Sequence, residues 1–201
     1  FVKAIEELPE QPELLYRTGP GQPWSLAENW TREPGQQTFS FSGSVPEGEY
    51  ALAKLPETTA EITGPNPGWR MLGAPGPAAR YNDVLGGLWT QGFPGAANDP
   101  DADPNVFYYD EASRNWIPPQ QSTNLLGSNQ DAGSSSTRAG ILMYVYGDEW
   151  PQPLQYTGLQ TDGEVALNLS NTPQTPDDGA QGWHLVSNPY PYAIDWMKVV
   201  N

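Results

Sequence analysis

Proline and glycine cut this chain into short pieces. Its 201 residues include 22 Pro and 21 Gly, and apolar runs recur roughly every 10 to 15 residues with one or both of these between them. Proline removes a backbone donor and fixes φ, which stops a helix or a central strand, while glycine admits the tight turns that follow. Long helices do not fit between such stops. The pattern predicts an all-β chain of antiparallel, sandwich-like sheets with long Pro/Gly-rich loops and one or two short helical turns. No apolar run approaches the ~18 residues of a membrane-spanning helix, so no membrane insertion is expected.

One segment occurs twice. Gly182-Trp183-His184-Leu185-Val186-Ser187-Asn188-Pro189-Tyr190-Pro191 is matched by Gly68-Trp69-Arg70-Met71-Leu72-Gly73-Ala74-Pro75-Gly76-Pro77, with four of ten positions identical. In both copies Gly-Trp opens an apolar run suited to a buried strand, and Pro-x-Pro ends it. Duplication predicts equivalent, buried positions for Trp69 and Trp183.

The later copy continues through Tyr192-Ala193-Ile194-Asp195-Trp196. It resembles the "GWNLVGNPYPSAIDW" signature of large secreted and cell-surface proteins of the Bacteroidota and their relatives, many of which carry a type IX secretion sorting domain. The earlier copy opens a second series, with Tyr81-Asn82-Asp83-Val84-Leu85, Trp89-Thr90-Gln91-Gly92-Phe93-Pro94-Gly95-Ala96 and Pro104-Asn105-Val106-Phe107-Tyr108-Tyr109-Asp110-Glu111. That series resembles the "GWRMLSSP … YSDLL … WTQGFPGA … PNVYTYDE" motifs of the same proteins. The resemblance implies an extracellular β-module at the cell surface and carries no catalytic residues with it. Phe1-Val2-Lys3-Ala4 is similar to the strand that closes the corresponding unit downstream of Asn-Pro-Tyr-Pro. On that resemblance the chain is expected to be an excerpt of a longer protein, or a subunit completed head to tail by its neighbour.

Along the chain, Leu14-Leu15-Tyr16-Arg17 reads as a strand, and residues 18–36 read as a loop carrying Trp24 and Trp30. Phe39 and Phe41 alternate with polar residues, and Glu49-Tyr50-Ala51-Leu52-Ala53-Lys54-Leu55 repeats the pattern beyond a Pro-Glu-Gly turn, which predicts a hairpin between them. Gly64-Pro65-Asn66-Pro67 is the best internal boundary, dividing an N-terminal β segment, 1–63, from a β-domain, 64–201. Between Tyr81 and Trp89, Val84, Leu85, Leu88 and Trp89 have helical spacing after a cap at Asn82 or Asp83, giving one or two turns that Gly86-Gly87 weakens. A second short turn is expected near Ala193 to Val199. Val106-Phe107-Tyr108-Tyr109 and Trp116-Ile117 are strands about a turn at Ser113-Arg114-Asn115. Residues 120–139 read as a mobile excursion, and Gly140-Ile141-Leu142-Met143-Tyr144-Val145-Tyr146 as a central strand buried on both faces. Leu154-Gln155-Tyr156-Thr157 and Val165, Leu167 and Leu169 continue the meander.

The formal net charge is -15, and Cys is absent. Nucleic acid and anionic membrane surfaces need a cationic partner and are not expected; disulfides and thiolate sites are ruled out. Metal chemistry centres on Asp99-Pro100-Asp101-Ala102-Asp103-Pro104-Asn105. Alternate oxygen ligands Asp99, Asp101, Asp103 and Asn105, with Asp110 eleven residues after Asp99, have the spacing of a calcium loop, although Pro104 stands where such a loop needs glycine. Calcium is the one cofactor this pattern suggests. The sole His184 has Arg70 as its counterpart in the other copy, and the acidic pairs Asp148-Glu149 and Asp177-Asp178 are adjacent in sequence, so no catalytic constellation forms. The expected function is a non-catalytic structural or adhesive module that meets neighbouring copies or other domains of a surface protein. The alternative is a carbohydrate-binding module in which Trp24, Trp30, Trp116 and Trp150 stack on a polysaccharide.

Overall fold

The computed structural model describes residues 13–22, 24–31, 40–64, 66–74, 76–128, 139–147, 151–161, 164–167, 169–173, 182–190 and 192–199. The strand expected at Phe1-Val2-Lys3-Ala4, Trp150 and both acidic pairs lie outside these residues. The chain divides into two compact units, Phe1–Pro56 and Glu57–Asn201. The fold is all-β, and every strand pair in its sheets is antiparallel.

The first unit holds β1 (Glu13–Arg17), β2 (Ser25–Leu26), β3 (Trp30–Thr31), β4 (Ser40–Phe41) and β5 (Glu49–Ala53). β1 is central in a sheet of order β2-β1-β5, and β3 pairs with β4. Among the described residues, the Phe41 and Tyr50 segments pair with β3 and β1, not with each other as the expected hairpin would have it. Leu14 lies opposite Leu52 instead, and Arg17 ion-pairs with its cross-strand partner Glu49. Leu14 and Leu15 supply the buried side chains that decide this pairing, since burying apolar area outweighs a short connection. The described part of residues 18–36 is not only a loop, because it contributes β2 and β3.

The second unit begins with β6 (Glu57–Ile62) and β7 (Gly68–Leu72), followed by the single turn α1 (Tyr81–Leu85). β8 (Val106–Asp110), β9 (Asn115–Ile117), β10 (Ile141–Val145), β11 (Gln152–Thr157) and a 3-10 turn at Trp196–Lys198 complete it. The strands form a sheet of order β7-β10-β8-β9 and a ribbon β11-β6. Both contribute to one core, where Ile141, Met143 and Val145 of β10 and Val106 of β8 meet Ile62, Tyr156 and the α1 residues Tyr81, Val84 and Leu85. Asp83 starts α1 by accepting from the backbone N–H of Arg80 at 3.2 Å. Asp195 caps the 3-10 turn by accepting from Met197 N–H at 3.1 Å.

Several local expectations are corrected. β10 is central but not buried on both faces: Ile141, Met143 and Val145 face the core, while Leu142 and Tyr144 lie on the opposite, partly open face. Residues 120–128 belong to the fold, since Leu125 and Leu126 are buried, Leu126 N–H donates to Ala79 O at 2.8 Å, and Gly127 N–H donates to the Tyr81 hydroxyl at 3.2 Å. The described part of the strand expected around Val165 and Leu167 is irregular, and Leu169 is exposed. The two Gly-Trp copies differ as well. The first forms β7, whereas the second makes only a bridge from Val186 to Ala139. Trp69 and Trp183 are 50% and 67% exposed, not buried. β7 is an edge strand whose inward positions are Arg70 and Leu72, and alternation therefore turns Trp69 and Met71 outward.

Met143 and Met71 separate the two faces experimentally. Met143 is fully buried and Met71 is 70% exposed, so Met143→Ala should lower the free energy of unfolding by about 2–5 kcal/mol, and Met71→Ala by no more than about 0.5 kcal/mol. Equilibrium denaturation of the two variants measures the difference.

Candidate functional site

The acidic loop is built around Asn105. Asn105 is 2% exposed, and its side chain is fully engaged. Oδ1 accepts from Gln91 N–H at 2.9 Å, while Nδ2 donates to Trp89 O at 2.9 Å and to Tyr144 O at 3.0 Å. The Asp99 carboxylate accepts from Asp101 N–H at 3.2 Å, and the Asp110 carboxylate from Ser113 N–H at 2.8 Å, each closing a local turn. Among the described residues, no three Asp, Glu or His side chains group to hold a metal ion. Gly92, with φ at 81°, explains the close packing under the loop: a Cβ there would stand 2.2 Å from Pro104 Cα. Pro104 thus sits against the glycine of the Trp-Thr-Gln-Gly motif, and Thr90 closes the motif by accepting from Ala97 N–H at 2.8 Å.

What Asn105 positions is a row of aromatic rings. On the outer face of the four-stranded sheet, Trp69 of β7 lies opposite Tyr144 of β10, with ring centroids 5.4 Å apart and planes at 85°. Tyr144 meets Tyr146 at 4.8 Å and 55°, Tyr146 meets Trp89 at 6.4 Å and 71°, and Trp69 meets Phe107 of β8 at 5.9 Å and 48°. Five rings are thereby in continuous contact, and Trp69, Trp89 and Tyr146 are exposed. Trp89 is held in place: its indole N–H donates to Gln91 Oε1 at 2.8 Å, and Gln91 Nε2 donates to Asp103 O at 2.8 Å. An exposed large aromatic side chain fixed by a half-buried amide has already lost part of the freedom that binding would otherwise take from it.

Of the four tryptophans singled out in the sequence, Trp24, Trp30 and Trp116 are among the described residues. Trp24 is half-buried with the Arg17 guanidinium 4.5 Å over its ring, and Trp30 is half-buried opposite Phe41; both belong to the first unit. Trp116, on β9, is exposed and packs edge-on against Tyr109 at 5.4 Å, beside the five-ring row. Trp69 and Trp89 escaped the sequence reading because both stand in motifs that read as core, and only sheet pairing reveals which face they take.

A second feature that the sequence did not disclose is a carboxylate clamp. Glu111, 5% exposed, follows β8 and accepts from Thr172 N–H at 2.8 Å, Thr172 hydroxyl at 2.7 Å, Ser170 hydroxyl at 2.8 Å and Gly182 N–H at 3.0 Å. The Thr172 donors, then Gly182 and Ser170, hold its carboxyl at about 2 against an ordinary 4.5, and burial opposes them only partly. His184 is tied into the same segment: its Nε2 lies 2.7 Å from Ser170 O, and since a carbonyl can only accept, Nε2 carries the proton.

The two motif copies meet at a cleft. Gly73 of the first approaches Ser187 of the second so closely that a Cβ on Gly73 would lie 2.6 Å from Ser187 Cβ. Beside this contact opens a space of about 510 Å³, bounded by β6, the end of β7 and the segment containing Asn188, Tyr190 and Tyr192. Comparison with protein-family models, with curated proteins and with solved structures gives no match to this chain.

The Glu111 clamp predicts a pH dependence. With the folded-state value below the unfolded one, its stabilisation is fully present above about pH 5, declines as pH falls through 4.5, and is gone below about 2. Thermal melts of wild type and Glu111→Gln should differ most near neutrality and converge across that window.

Proposed function

We propose that the chain is a non-catalytic structural and adhesive module of a large extracellular surface protein, docking on a neighbouring copy or domain through the outer face of its four-stranded sheet. The observation that carries this reading is the five-ring row from Trp89 to Phe107. Contiguous exposed apolar area on a folded domain marks an interaction surface, and Trp and Tyr are the side chains that anchor such surfaces. Met71 and Leu142 extend the row along the same face by strand alternation.

Ring geometry favours a protein partner over a flat polysaccharide. Neighbouring planes are inclined by 48° to 85°, so the surface has ridges and hollows that another side-chain surface can fill, whereas a sugar ribbon needs rings in one plane. Charge supports the same choice. On a chain of net charge -15, the row itself carries no charged side chain, so like modules can approach there at the least electrostatic cost. The extracellular setting is supported by the resemblance of the two motif series to secreted surface proteins. The non-catalytic reading is supported by the sole histidine, whose Nε2 is engaged with a backbone carbonyl.

The test is sedimentation velocity over a concentration series at low and high salt. Wild type should associate, more strongly as salt screens the net charge. Trp69→Ser combined with Trp89→Ser should remain monomeric while keeping its melting temperature within a few degrees. Identical behaviour of the variant and wild type would overturn the reading.

A further inference from the structure

The cleft between the motif copies shares only Met71 with the face of the aromatic row and has a construction of its own. Asn188 shapes it. Its Oδ1 accepts from Tyr190 N–H at 3.1 Å and its Nδ2 donates to Tyr192 O at 2.6 Å, so one amide closes the loop of the Asn-Pro-Tyr-Pro-Tyr sequence on both sides. Held this way, Tyr190 and Tyr192 stack with centroids 5.2 Å apart and planes within 18°. It is the most nearly parallel ring pair among the described residues, and Tyr192 is 61% exposed.

The opposite wall is main chain. Three consecutive residues of β6, 58–60, line the space, and side chains alternate along a strand, so the cleft runs beside the strand's backbone edge. Among the described residues β6 is paired on one side only, with β11. Its alternate N–H and C=O groups on the other side therefore point away from β11, toward that edge. Thr58, Thr59, Ser187 and Asn188 add hydroxyls and an amide to the lining, which contains no charged side chain. A volume near 510 Å³ is of the size that receives a small ligand.

We propose that this cleft binds a neutral saccharide residue, with one ring face stacked on the Tyr190–Tyr192 pair and its hydroxyls bonded to the β6 edge and the Thr and Ser groups. A sugar ring presents apolar C–H groups on its face and hydroxyls around its rim, and the cleft offers an aromatic stack and a polar rim in the same disposition. Charge selects the class. An acidic sugar meets a chain of net charge -15 with no cation in the lining, and an amino sugar finds no carboxylate there. The parallel pair separates this site from the row on the sheet, whose inclined rings do not suit a sugar. The inference stands whether or not the sheet face docks a neighbour.

Ligand-observed saturation-transfer NMR tests it, using glucose, galactose, mannose, N-acetylglucosamine and their disaccharides, with glucuronic acid and glucosamine as charged controls. At least one neutral sugar should receive saturation on its ring protons, and neither charged control should. Tyr192→Ala should weaken that sugar's binding about three- to tenfold, Tyr192→Phe should retain it, and Trp89→Ser should leave it unchanged. Because Tyr192 is exposed, its variants should melt with wild type. Absence of any neutral-sugar signal, or equal affinity in Tyr192→Ala, overturns the proposal. So does binding of an extended neutral peptide that Thr59→Pro abolishes and Tyr192→Ala spares, which would make the β6 edge a strand acceptor. Loss of sugar binding with self-association intact would defeat this proposal alone, and the reverse would defeat only the docking reading.

Discussion

The side-chain amide of Asn105 has three hydrogen bonds, and they join parts of the second unit that are far apart in sequence. Its partners are the backbone of Trp89 and Gln91 in one loop and of Tyr144 near the end of β10. Tyr144 N–H also donates to Asn105 O at 2.8 Å, so the β8–β10 ladder is prolonged past the last regular pair by this one residue. Val106, next in sequence, is then carried into the core, while Tyr144 and Trp89 are set on the outer face. A buried amide with all its groups bonded costs little, but its partners would be stranded without it. Core and aromatic face are thus adjusted by the same contacts.

This explains why some features could be read along the chain and others could not. The strands at Val106, Ile141 and Gln152, the turn at Arg114 with φ of 57°, and the helical turn at Tyr81 all follow from local pattern and backbone preference. Strand partners are a non-local choice. β5 prefers β1 to its sequence neighbour because Leu14 and Leu15 need covering. The outward turn of Trp69 depends on β7 lying at the sheet edge, which no stretch of Gly-Trp-Arg-Met-Leu announces. The role of Asn105 in joining these loops cannot be read from its place among alternating Asp residues. The partners of its amide lie 14, 16 and 39 residues away, beyond any loop pattern.

The duplicated segment carries a related lesson. Its copies share Gly-Trp and Pro-x-Pro yet take different backbone forms, an edge strand in one case and a bridged, irregular path in the other. What they retain is contact with each other, at Gly73 and Ser187. The later copy is fastened at its start by Glu111, through Gly182 N–H, and further along by Gly140 N–H donating to Leu185 O at 2.7 Å. Side-chain and single backbone bonds replace a ladder there, which leaves room for a cleft where a continuous sheet would have closed it.

Met71 borders both surfaces, lying beside Trp69 on the outer face and lining the cleft, and it is 70% exposed. An accessible thioether is oxidised to a sulfoxide, which turns a flexible apolar side chain into a polar, chiral one. Oxidation at Met71 would therefore place one polar group on the rim that the sheet face and the cleft share. Because that side chain is exposed and outside the core, the change would make both surfaces more polar while leaving the packing beneath them intact.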